Sequence, residues 1–145
     1  MTKPINTLHS LQRGELAATE TYQQILRNFK GFAEVIDLEE IRKDHRTAAN
    51  ALRQHIREHG DVPEKDSGTW GTFAKAVEGT AKVFGQGLAL KALKEGEERG
   101  IKDYENALAD QELQSDCRVL IETELLPKTR AHVSVLSRLI SGQKA

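Results

Sequence analysis

Four residues set the chemical question: Glu15, Glu97, His45 and His132. Residues 14–22 read GELAATETY and residues 96–104 read GEERGIKDY. Each half of the chain thus carries a Gly-Glu pair with a tyrosine seven positions after the glutamate, Tyr22 and Tyr104. A histidine follows each pair, His45 30 residues after Glu15 and His132 35 residues after Glu97. Both glutamates fall where helical spacing calls for apolar residues. An unpaired carboxylate carried into a core is costly enough that it would usually protonate instead. Two glutamates facing two histidines therefore suggest a cluster in which metal or protons balance charge. The tyrosines either hydrogen-bond those carboxylates across the core or fill it as aromatic residues with hydroxyls at the edge.

The elements that must position these groups are helices, because long stretches repeat at 3 and 4 and nothing alternates like a strand. The first spans about 6–29, with the stripe Leu8, Leu11, Glu15, Ala18, Tyr22, Ile25 and Phe29. The second, about 37–59, starts at Asp37 with Glu40 in a capping-box-like arrangement and stops at Gly60. Its stripe is Leu38, Ile41, His45, Ala48, Leu52 and Ile56. After a breaker-rich loop, a short amphipathic helix at 69–84 carries Trp70, Phe73, Val77 and Phe84. The third long helix, about 88–109, carries Leu90, Leu93, Glu97, Tyr104 and Leu108. The fourth, about 115–140, is capped by Ser115 or Asp116 and should bend at Pro127, whose ring deletes the bond to Thr123. Its face is Ile121, Leu125, His132, Val135 and Leu139. Four apolar stripes without a sheet make an all-α four-helix bundle the economical solution for a single domain over 1–145, with the short helix lying in a crossover between helices two and three.

The Glu-then-Tyr helix given twice, each followed by a His-bearing helix, resembles the ferritin and rubrerythrin superfamily. The stretches HGDVPEKDSGTWGTF and KEGEERGIKDYENAL resemble more closely an uncharacterised bacterial branch of ferritin-like proteins, classed as a domain of unknown function. The resemblance implies a ferritin-like bundle in which Glu15 and Glu97 are the single-Glu ligands, and His45 and His132 the two histidines, of a metal centre. Such centres take one Glu from each of two helices and a Glu-x-x-His pair from each of the others. Here positions 42 and 129 hold Arg42 and Thr129, so both bridging carboxylates are missing. Arg42, one turn before His45, could pair with Glu15 or Glu97 and supply the charge of the absent metal. Three readings stand: a metal-free network of Glu15, Arg42, His45, Glu97, His132, Tyr22 and Tyr104; a single divalent Fe, Mn or Zn ion on Glu15, His45, Glu97 and His132; and an oxygen-activating di-iron site, for which the ligand count falls short. The first is favoured, so no cofactor is expected. It makes the protein a non-catalytic structural or stress-associated one, with a metal-binding, redox-active protein as the alternative.

Other signals bound the function. The 21 Lys+Arg against 22 Asp+Glu leave no basic surplus, which argues against nucleic acid as a partner. No apolar run approaches the roughly 18 residues of a membrane span. The start, MTKPINTLHS, lacks the apolar centre of a secretion signal. Cys117 is the only cysteine and reads as a partly buried, inert thiol in a reducing cytoplasm. HIREH at 55–59 matches the His-x-x-Glu-His pattern of some zinc peptidases. Its two histidines at i, i+4 could clip a surface ion, yet no third ligand stands out downstream, and histidine suits a helix C-terminus in any case. The Trp70–Phe84 segment could cover the bundle's edge or join a second copy in a homodimer. No small-molecule substrate is evident.

Overall fold

A computed structural model of the chain describes residues 4–27, 33–66 and 85–143. Among the described residues all regular structure is helical: α1 (Pro4–Leu26), α2 (Ala33–Glu58), α3 (Gln86–Ala109), α4 (Ser115–Leu120) and α5 (Leu126–Gln143). A π-helical turn, Ile121–Leu125, joins α4 to α5, so these helices form four rods. The helix expected at 69–84, with its Trp70–Phe84 face, lies outside the described residues, as does Phe29.

The stripes fold as spaced, with local departures. On α1, Leu8, Leu11, Glu15, Tyr22 and Ile25 are buried. Ala17 is buried rather than Ala18, and Gln12 and Thr21 turn inward beside the stripe. Pro4 sits in the first turn, where its missing N–H has no helical partner to lose. Gln12 pays its burial by a two-way amide exchange: Nε2 donates to the Glu64 carbonyl at 3.2 Å and Oε1 accepts from the Glu64 N–H at 2.9 Å. His9 contacts Asp61 and Glu64 at 3.0 and 2.7 Å, so the loop after α2 is tied to α1.

α2 begins at Ala33, one turn earlier than Asp37 suggested. Asp37 is therefore no cap; its carboxylate accepts from Arg138 Nη2 on α5 at 3.1 Å. The expected stop at Gly60 is built as a Schellman motif. Gly60 has φ +83°, its N–H donates to the Arg57 carbonyl at 3.0 Å, and the Asp61 N–H donates to the Ile56 carbonyl at 3.1 Å. α3 starts at Gln86, just after Gly85 at φ +92°. Its last carbonyls are clamped by Arg118, which donates to Leu108 O and Asp110 O at 2.7 and 2.8 Å. Neither Ser115 nor Asp116 caps α4, whose N-cap is Gln114.

Pro127 cannot donate to Thr123 O, and the disruption appears as the π turn just before it. The Leu126 N–H donates five residues back, to Ile121 O. Leu120, Ile121, Leu125 and Leu126 are all buried. A spacing of five turns an α-helix by about 140° past a full circle, so these two pairs could not share one face without the wider turn. The π turn thus keeps the fourth rod in phase on both sides of Pro127.

Two apolar clusters occupy the two ends of the core. One holds Leu8 and Leu11 of α1, Leu52 and Ile56 of α2, Tyr104 and Ala107 of α3, and Leu120 to Leu126 of the fourth rod. The other holds Tyr22 and Ile25, Leu38 and Ile41, Leu90 and Leu93, and Leu136 and Leu139. Reading along each helix, α1 and the fourth rod run from the first cluster to the second, whereas α2 and α3 run the other way. α2 therefore ends at one end of the molecule and α3 begins at the other, and residues 59–85 connect them. Glu15, His45, Glu97 and His132 each fall between the cluster residues of their own helix. Nothing lies within 4 Å of a Cβ built on Gly60, so a side chain there meets only the left-handed backbone penalty. Gly60→Ala should cost about 1–2 kcal/mol of unfolding free energy; an unchanged urea midpoint would contradict the cap assignment.

Candidate functional site

The layer between the two apolar clusters is polar and, but for Asp44, buried. His45 lies at its centre: Nδ1 is 2.6 Å from Glu15 Oε2 and Nε2 is 2.6 Å from Glu97 Oε2. The Tyr104 hydroxyl donates to Glu15 Oε1 at 2.6 Å, and the Tyr22 hydroxyl donates to Glu97 Oε2 at 2.7 Å. The repeated Glu-Tyr spacing is thereby explained. Seven residues are about 10 Å of helix, and α1 and α3 run antiparallel, so each tyrosine reaches the glutamate of the other half. His132 Nδ1 lies 2.9 Å from Glu97 Oε1, and its Nε2 lies 2.8 Å from Asp44 Oδ2. The Tyr22 and His45 rings stack with centroids 5.5 Å apart. A cavity of about 330 Å³ between α1 and α3 borders Glu15, Tyr22, Glu97 and Tyr104.

The protonation of the layer follows from this geometry. Carboxylates at both nitrogens of His45 accept and cannot donate, so two hydrogen bonds require both N–H groups, the imidazolium. Burial disfavours that charge, but Glu97 and Glu15, by charge and by hydrogen bond, raise the His45 pKa well above its usual 6.5. Burial likewise opposes ionisation of Glu97, yet the charge on His45 and hydrogen bonds from His132 and His45 hold its pKa down at about 2. Burial and then the adjacent carboxylates push both tyrosines well above 10.0. They remain neutral donors. Among the described residues, Gln114 Oε1 is the one buried side-chain N or O atom without a partner, so the layer is satisfied by protein groups alone.

Six of the seven side chains assigned to a core network in the sequence meet here: Glu15, Tyr22, His45, Glu97, Tyr104 and His132. Arg42 does not. Its guanidinium turns to Glu39 on the previous turn of α2, with Nε at 3.0 and 3.1 Å from the two carboxylate oxygens, and it is only partly buried. An i, i+3 partner on the same helix satisfies the guanidinium without its desolvation. The cation expected of Arg42 is supplied by the imidazole of His45. Asp44 was missed. It is half-exposed, lies next to His45, and reaches His132 with Lys128 3.9 Å from its other oxygen. No periodicity marks it, because only its carboxylate tip enters the layer. Thr129, at the second missing-Glu position, is buried and donates to Leu125 O at 2.8 Å.

The donor set does not fit a dinuclear metal centre. Positions 42 and 129 offer no carboxylate, and the further acid of the described layer, Asp44, is half-exposed and reaches it only at His132 Nε2. A single ion has a better match: donor atoms of His45, Glu97 and His132 lie within 4.8 Å of one another. Such an ion would have to displace the proton between His45 and Glu97.

Residues 3–110, about three quarters of the chain, match a family model described as Domain of unknown function (DUF2383). The match takes in Glu15, Tyr22, Asp44, His45, Glu97 and Tyr104 and stops before His132. No curated protein and no solved structure matches the chain.

Because the His45 pKa is raised on folding, its contribution is complete below the unfolded value near 6.5 and is lost as pH rises through the folded value. Glu97 acts oppositely: its contribution is present above about 4.5 and is lost as pH falls toward about 2. The melting temperature should therefore decline above pH 6.5 more steeply in the parent than in His45→Gln, and parallel profiles would refute the imidazolium. Tyr104→Phe removes the donor at Glu15 Oε1 and should cost about 1–3 kcal/mol by chemical denaturation, against no change if the hydroxyl merely fills the core.

Proposed function

The chain belongs to that family of unknown function, and we propose that it is a ferritin-like four-helix bundle serving as a non-catalytic structural or stress-associated protein. In this reading a charged, metal-free network of glutamate, histidine and tyrosine takes the position of an ancestral metal centre. The observation that carries it is His45, held at 2.6 Å from a carboxylate at each ring nitrogen. An imidazolium with both protons engaged has no lone pair for a metal. The ferritin-like assignment is supported by the helix directions, with α2 and α3 parallel and joined by the long connection 59–85. The placement of one glutamate on α1 and one on α3, with a histidine on each of the other rods, supports it further. Fold likeness alone carries no activity.

A second reading rests on the proximity of His45, Glu97 and His132: a mononuclear Fe, Mn or Zn site. Its ligands would bind as neutral imidazoles and an ionised carboxylate, so affinity would fall on mild acidification as protons compete.

The readings separate on iron. The parent, purified without chelators or a His tag, is expected to oxidise ferrous ion no faster than buffer and to carry substoichiometric iron and manganese. Restoring both carboxylates in an Arg42→Glu, Thr129→Glu double variant should introduce ferrous binding that the parent lacks. Near-stoichiometric iron or manganese in the parent, lost in Glu97→Gln, would overturn the metal-free reading. Arg42→Ala alone should change stability by about 1 kcal/mol or less, since its pair with Glu39 is a partly exposed i, i+3 contact. A loss of several kcal/mol would put the guanidinium back in the core.

A further inference from the structure

The sequence HIREH and the single cysteine meet at one end of the molecule, about three turns of α2 away from the buried layer. His55 and His59 lie one turn apart where α2 ends, and Asp116 and Cys117 lie in the first turn of α4. His55 Nδ1 is 2.9 Å from Asp116 Oδ2 and 3.6 Å from Cys117 Sγ. His59 Nε2 is 3.0 Å from Asp116 Oδ2 and 3.9 Å from Cys117 Sγ. One donor atom from each of the four residues lies within 4.8 Å of all the others.

Those distances have a chemical meaning. Zinc binds imidazole nitrogen at about 2.0–2.1 Å, carboxylate oxygen at about 2.0–2.2 Å and thiolate sulfur at about 2.3 Å, almost always as a tetrahedron in structural sites. Tetrahedral angles then separate nitrogen from oxygen by about 3.3 Å and nitrogen from sulfur by about 3.5 Å. The two nitrogen–sulfur distances, 3.6 and 3.9 Å, and the two nitrogen–oxygen distances, 2.9 and 3.0 Å, lie within about half an ångström of those values. The backbone fixes it on both sides: the Schellman motif at Gly60 and Asp61 sets the last turn that carries His59, and Arg118 clamps the start of α4 to the end of α3. The C-terminal end of α2 also presents the negative pole of its dipole to a cation. Cys117 is buried while the two histidines and Asp116 keep partial exposure, which leaves an entry path and a shielded sulfur.

We propose that His55 Nδ1, His59 Nε2, one Asp116 oxygen and Cys117 Sγ form a zinc site that staples the C-terminus of α2 to the start of the fourth rod. Four protein ligands close the tetrahedron, so the ion is structural and leaves no position for a substrate. Binding replaces the Cys117 thiol proton: the S–H bond breaks, the thiolate coordinates, and one proton passes to solvent. Without metal, burial first and then the neighbouring Asp116 push that thiol up to about 12, which keeps the free form a protonated, unreactive cysteine. The site is independent of the buried layer, which contains no sulfur.

Cobalt(II) distinguishes it, because a cobalt–thiolate bond gives a near-ultraviolet charge-transfer band and a tetrahedral ion gives intense visible bands. Full-length protein, stripped with chelator and titrated with cobalt(II), should develop both at one equivalent. Zinc should then bleach them stoichiometrically and raise the melting temperature. Cys117→Ser should abolish the charge-transfer band, and His59→Ala should weaken zinc binding by more than the roughly 10- to 100-fold typical of outer-shell partners. Weak octahedral bands without charge transfer, which signal an adventitious ion only, would overturn the proposal, as would bands unaltered in both His55→Ala and His59→Ala.

Discussion

Two carboxylates must be buried at one level of a four-rod core, and everything around them follows from how their charge is balanced. Glu15 and Glu97 come from antiparallel helices and meet the two nitrogens of a single imidazole. That imidazole must carry two protons to bond both. The tyrosines then close the remaining lone pairs from opposite halves of the chain, and His132 closes Glu97 and draws in Asp44. The layer is expensive to bury and cheap to leave intact, since breaking one partner strands a charge while the complete set is satisfied.

This polar layer also fixes the register of the molecule. Apolar clusters at either end would tolerate a rod sliding by a turn, because leucine and isoleucine accept one another as neighbours. The layer does not, since a slip of one turn, about 5.4 Å, would separate a carboxylate from every donor. Pro127 threatened that register on the fourth rod. The π turn absorbs the missing hydrogen bond and restores the phase, so His132 arrives at the height of His45 and Glu97. The same turn lets Leu120, Ile121, Leu125 and Leu126 all face inward.

Much of this was legible in the sequence, and the reasons for the remainder are physical. The doubled Glu-Tyr spacing and the histidines on the following helices are carried by helical periodicity, and the Gly60 stop by glycine's access to a left-handed backbone, all of which a sequence displays directly. The identity of the internal cation is not periodic. Arg42 has the right type and position, but Glu39 lies nearer along the same helix, and a guanidinium with a local partner has no reason to desolvate. Asp44 lies off the apolar stripe of α2 and is half-exposed, so helical spacing does not mark it although its carboxylate reaches His132. The start of α2 at Ala33 shows that an Asp-then-Glu pair can lie inside a helix as easily as at its edge. The gathering of His55, His59, Asp116 and Cys117 joins residues some sixty positions apart, and only the packing of α2 against the fourth rod reveals it.

The protonation of His45 is the point on which the account turns, and it can be read without perturbing the protein. Nitrogen-15 NMR of the histidine side chains, recorded with two-bond proton correlations across neutral and alkaline pH, reports each ring nitrogen separately. Both His45 nitrogens should show the shifts of protonated nitrogens well above pH 6.5, with no titration near that value. A pyridine-type shift at either His45 nitrogen at neutral pH would contradict the account.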